Sequence, residues 1–87
     1  MRRRRKLFSG GRVAARNIYL GPRRTSLRLE AVMWDALADI AQDQDKTVAD
    51  IILELRRERA HDLNLSAAIR VYIVEFYRAR FKGGRRR

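Results

Sequence analysis

Apolar and polar residues alternate strictly along Arg24-Thr25-Ser26-Leu27-Arg28-Leu29. Thr25, Leu27 and Leu29 fall on one face, and Arg24, Ser26 and Arg28 on the other. A period of two belongs to a strand with one face buried. The pattern predicts a strand up to about Leu29, entered through Gly21-Pro22, because proline lacks a ladder donor and suits a strand edge or entry. No other stretch alternates as clearly, so this strand is expected to lack a partner within its own chain. Left unpaired, it would expose a row of backbone donors and acceptors. A second copy of the chain is therefore expected to complete a two-stranded ribbon.

From Leu29-Glu30 onward the period changes to that of helices. Met33, Trp34, Leu37, Ile40 and Ala41 share one helical face, with Asp35, Asp39 and Gln42 opposite, predicting a helix over about 31–42. Thr47 followed by Asp50 reads as a helix start, since Thr caps and an acid three residues on favours the positive dipole end. That second helix is expected to reach about Ala60. Val48, Ile51, Ile52 and Leu55 form its apolar stripe, and Glu54, Arg56, Arg57, Glu58 and Arg59 its solvated remainder. A third helix is expected from Asn64 or Ser66 to about Phe81, ended by Lys82-Gly83-Gly84. Ile69, Tyr72, Ile73 and Phe76 make one face, and Val71, Val74 and Tyr77 widen it almost all round, which predicts burial on several sides. Leu27 and Leu29 should seal the ribbon onto Leu37, Ile51 and Leu55. Residues 1–21 read as a flexible basic arm with Asn17-Ile18-Tyr19-Leu20 as an apolar interruption, residues 22–81 as the folded domain, and residues 82–87 as a basic tail.

Charge changes the picture more through its placement than through its total of +11. Residues 1–28 hold ten Lys/Arg and no acid, whereas residues 29–81 hold seven against ten Asp/Glu. The helical body is ordinary, and the excess sits on the ends and the strand. Phosphate polyanions and anionic membrane surfaces both suit such ends, but no apolar run approaches the roughly 18 residues of a membrane span, so no membrane partner is expected. Eighty-seven residues make one small domain with a thin core unless it oligomerises. Without cysteine there is no disulfide or thiolate site, which is compatible with a reducing interior. His61 cannot build a metal cluster alone and reads as a helix-end contact. Asp35, Asp39, Asp43 and Asp45 lack the Gly and Glu of a calcium loop. With no nucleophile–base pair visible, the reading is no enzyme, no catalytic residue, no metal and no cofactor. Arg2 to Arg5 and Lys6 are followed by Leu7-Phe8 alone before Gly10-Gly11, so the apolar core of a secretory signal is missing; an acid-free arginine arm also suits a mitochondrial presequence.

Candidate chemistry lies on the strand and the arm. A two-stranded ribbon fits the DNA major groove, where arginine donates two bonds to guanine and serine donates or accepts. The plainer reading of Arg24, Ser26 and Arg28 is an edge strand whose charges discourage aggregation. Arg2 to Arg5, Lys6, Arg12 and Arg16 suit a minor groove or phosphates, or equally an unfolded solubilising tail. Trp34, Tyr72, Phe76, Tyr77 and Phe81 could stack on single-stranded bases, but their aliphatic neighbours point to core or dimer packing.

Residues Gly21 to Glu30, then Trp34-Asp35-Ala36-Leu37 and Ile40-Ala41, resemble the ribbon-helix-helix superfamily. The likeness is greatest to a bacterial branch with an Arg-Thr-Ser strand and a third segment of the type seen here as Asn64-Leu65-Ser66-Ala67-Ala68-Ile69-Arg70-Val71. It covers about residues 21–80. The chain departs from the simplest members in its third helix and in carrying Glu30-Ala31 where proline is common. The resemblance implies a mainly α domain: a strand pairing across a homodimer, two helices, and here a third, C-terminal helix. It implies a sequence-specific DNA-binding transcriptional regulator, a repressor, cytoplasmic and nucleoid-associated. Arg24, Ser26 and Arg28 would face bases; Arg23, Lys46, Thr47 and Val48 would face phosphates, the start of the second helix being a ready anion site; Arg12 and Arg16 belong to the DNA arm. Two other readings are a nonspecific nucleoid binder driven by the arginine arms, and an antitoxin-like dimer whose C-terminal helix holds a protein partner.

Overall fold

The computed structural model describes residues 11–59 and 64–85, with the backbone alone at Arg59 and Arg85. Arg2 to Arg5, Lys6, His61 and Arg86-Arg87 lie outside the described residues. Strand β1 (Val13–Leu20) and strand β2 (Arg23–Glu30) precede helices α1 (Ala31–Gln44), α2 (Val48–Arg59) and α3 (Leu65–Arg85).

The strand read from the alternation is β2, but it does have a partner in its own chain. β1 pairs with it antiparallel, from Leu20↔Arg23 at the turn to Val13↔Glu30 at the open end. The expected lone strand is thus corrected to a hairpin, and Val13–Leu20 is a strand where an arm was expected. Two residues, Gly21 and Pro22, close it. Gly21 takes φ +70°, and proline's ring holds φ near −65°, so the pair makes the type II′ turn whose twist matches paired strands. The ladder continues past the strand ends, with the Ala31 N–H donating to the Arg12 carbonyl at 2.8 Å.

One face of the hairpin carries Leu20, Leu27 and Leu29 into a core with Trp34, Leu37, Ile40, Ala41, Ile51, Ile52, Leu55, Ile69 and Ile73. Leu27 and Leu29 share this core with Leu37, Ile51 and Leu55, the residues onto which the pattern seals them. Trp34 clasps β1 onto α1: its indole N–H donates to the Ala14 carbonyl at 2.9 Å. The Arg16 guanidinium lies 5.0 Å from the centre of its ring, a cation–π distance.

Local chemistry sets the helix ends. α1 closes on Asp45 in the left-handed region (φ 60°), with the Lys46 N–H returning to the Ala41 carbonyl at 2.9 Å; aspartate is among the few residues that adopt this conformation readily. Thr47 and Asp50 form a reciprocal cap at the start of α2. The Asp50 N–H donates to Thr47 Oγ1 and the Thr47 N–H to Asp50 Oδ2, each at 3.0 Å. Asn64 caps α3, its Oδ1 accepting from the Ala67 N–H at 2.8 Å. α3 runs through Gly83 rather than stopping there, because neither Gly83 nor Gly84 takes the positive φ that ends helices at glycine. Arg70 of α3 holds Glu30 at the end of β2, Nε to Oε1 at 3.0 Å and Nη2 to Oε2 at 3.3 Å.

Candidate nucleic-acid interface

Residues directly opposite in an antiparallel pair share a face. The register therefore sets Tyr19 beside Arg24, Asn17 beside Ser26 and Ala15 beside Arg28. All six are exposed, while Leu27 (5%) and Leu29 (0%) on the opposite face are sealed from water. The hairpin has one orientation that keeps its leucines dry, and in it Arg24, Ser26 and Arg28 project outward. The structure brings these three together as the alternation implies. Neither Arg24 nor Arg28 is ion-paired among the described residues. Their guanidiniums and the Ser26 hydroxyl are free for an external partner, and Asn17 adds an amide that can donate and accept.

Asn17 and Tyr19 were not legible as part of this face. Ala14, Ile18 and Leu20 alternate with them, but Arg16 occupies the inward position between Ala14 and Ile18 and breaks the apolar pattern. The structure resolves the exception, since Arg16 covers the Trp34 ring instead of entering the core. That engagement also separates Arg16 from a free arm. Arg12 sits just before β1 with its side chain exposed.

The residues expected to meet phosphates fall into two places. Lys46, Thr47 and Val48 gather at the start of α2, whereas Arg23 stands at the hairpin turn beside Leu53 at the middle of that helix and Arg56 and Arg57 in its second half. At the α2 start, Lys46 Nζ bonds both Glu54 carboxylate oxygens at 2.9 Å, and Glu54 pushes the lysine pKa up. The Thr47 N–H, with help from the Thr47 hydroxyl, holds the Asp50 carboxyl below its ordinary value. Arg70 does the same to Glu30. The capping pair uses the Thr47 and Asp50 amides and leaves those of Val48 and Ala49 at the helix end.

Among the described residues, no three His, Cys, Asp or Glu side chains group as metal ligands, and no helix is long and apolar enough to cross a membrane. A family model described as a ribbon-helix-helix domain matches residues 13–77, well over half of the chain. Neither the curated proteins nor the solved structures contain a match.

Proposed function

Because this chain belongs to the ribbon-helix-helix family, whose members are generally DNA-binding transcription regulators, we propose that it is a sequence-specific DNA-binding regulator that inserts its hairpin into the major groove. The observation that carries this reading is the outward row Arg24, Ser26 and Arg28, exposed and set against a buried leucine face. A two-stranded ribbon has the width that a major groove admits. Here one chain supplies both strands, so the reading surface needs no strand from a second copy. Arg24 and Arg28 donate to guanine edges, Ser26 and Asn17 complete the polar row, and Ala15 leaves room beside Arg28. Val48 at the start of α2 offers its amide to a phosphate, with Lys46 turning from Glu54 toward it and Thr47 capping.

The regulator acts as a homodimer, which doubles the row into two half-sites. Support comes from α3, where Val71 (38%), Val74 (50%), Tyr77 (41%) and Phe81 (65%) stay exposed along one side. The breadth of the apolar pattern on this helix predicts burial that the protomer's own core does not supply. Exposed Val32 of α1 lies across a groove from Tyr77 that Ala36 also lines, with the carboxylates of Asp35 and Asp39 on its wall. An apolar surface of this kind marks an association site.

Sequencing the DNA fragments bound by the protein in its cells tests the reading. A sharp motif shared by the fragments is expected. Uniform coverage would replace the regulator with a nonspecific nucleoid binder.

A further inference from the structure

The turn end of the hairpin and the second half of α2 enclose an open cleft of about 540 Å³, lined by Leu20, Pro22, Arg23, Leu53, Arg56 and Arg57. Half of the lining residues are arginines and none is acidic. Three cations elsewhere in the helical body have carboxylate partners: Lys46 with Glu54, Arg70 with Glu30 and Arg80 with Asp43. Arg23, Arg56 and Arg57 have none among the described residues. Like charges gathered without a counter-ion repel one another and focus a positive potential over the cleft. Between them lies an apolar surface of Leu20, which is buried, with Pro22 and the half-buried Leu53.

We propose that this cleft holds one sugar–phosphate unit of the DNA backbone, a contact additional to the start of α2. The phosphodiester lies between the guanidiniums, whose forked donors match phosphate oxygens. The deoxyribose carbons rest on Pro22 and Leu53. The cleft's position fits that ligand. Arg23 points to the helix side of the hairpin, so with the outward row on the groove floor the turn and α2 overhang the groove wall, where phosphates run. An open cleft suits a continuous polyanion better than a small molecule enclosed on all sides. Arg56 and Arg57, which the helical pattern assigns to a solvated face, become DNA contacts because the hairpin turn folds against them.

The inference rests on the DNA-binding reading above, and its test separates the two. Arg56→Gln, Arg57→Gln and their double variant are titrated on the preferred site and on a scrambled site over a range of salt. Arg80→Gln, which removes one positive charge as each single variant does but at the junction with Asp43, is the charge-matched control for the single variants. Thermal unfolding should be unchanged in the cleft variants, because Arg57 is exposed and Arg56 only half-buried. The double variant should weaken both sites by the same factor and lower the slope of log K against log salt by about one per lost phosphate contact. The control should keep the wild-type slope. An unchanged slope in the double variant, or a loss in Arg80→Gln equal to that of either single variant, overturns the cleft assignment. If the wild-type protein itself shows no preference for any site, the base-reading proposal fails and not the cleft alone.

Discussion

Trp34 joins the first strand to the first helix, and Trp34→Phe measures that join. The indole N–H donates to the Ala14 carbonyl at 2.9 Å, and phenylalanine has no donor, which forfeits about 0.5–1.5 kcal/mol. Trp34 is 3% exposed, so the smaller ring leaves a cavity costing about 1 kcal/mol more. The Arg16 guanidinium keeps a ring beneath it, although a weaker one, for a loss of a few tenths of a kcal/mol, about the lower end of such pairs. The total is about 1.5–3 kcal/mol. With a urea m-value of about 1–1.5 kcal/mol/M for a domain this small, the midpoint should fall by about 1–3 M. Unfolding is followed by far-ultraviolet circular dichroism, since the variant lacks the chain's one tryptophan. Protein concentration is held fixed, because association shifts apparent stability. Amide exchange should rise most in Val13–Leu20. A midpoint unchanged in Trp34→Phe, or exchange that rises first in α3, would refute the clasp and with it the packing of β1 that sets Asn17 and Tyr19 beside the arginine row.

Other outcomes follow from the same contacts. Thr47→Ala should cost about 1 kcal/mol in urea unfolding through loss of the reciprocal cap, while Thr47→Ser should retain most of it. The Glu30 and Asp50 carboxyls lie below their ordinary values of 4.5 and 3.8, Glu30 chiefly through its bond from Arg70 and Asp50 chiefly through the Thr47 N–H. Their contribution to stability is complete above those values and is lost as pH falls through the lower folded ones. Urea midpoints at descending pH should therefore drop on the acid side, and Glu30→Gln should flatten that drop. Val74→Asp with Phe81→Asp should give a folded monomer in sedimentation, since both side chains are exposed within the protomer; a persisting dimer would remove α3 from the interface.

The strict alternation of residues 24–29 located β2 and its two faces, because every inward position there is apolar or Thr25 and every outward one polar. The helices were legible for the same reason, as was the Thr47 cap, where two residues at fixed spacing suffice. β1 was not. Its inward row carries Arg16, and only the tertiary placement of Trp34 makes an arginine acceptable there. A Gly-Pro pair is also a weaker hairpin signal than Asn-Gly, since proline at the strand entry suits a lone strand equally well. The Gly83-Gly84 pair reads as a helix end, yet the chain stays helical there instead of turning. Arg56 and Arg57 read as a solvated face because helical spacing describes one helix at a time. Their meeting with Arg23 depends on how the hairpin turn folds back on α2, which no local pattern encodes.

If the outward face of the hairpin reads bases, Arg28→Ala removes one of its two arginine readers. The side chain is exposed and unpaired among the described residues, so the fold should survive its removal. Wild type and variant are titrated on the preferred site and on each of its single-base mutants at one salt concentration. Discrimination at one base pair in each half-site should collapse by about 1–3 kcal/mol, the worth of a bidentate arginine–guanine contact, while the other positions keep their ratios. Uniform weakening, with every ratio between preferred and mutant sites preserved, would contradict it and leave Arg28 as a phosphate contact on a surface that does not read sequence.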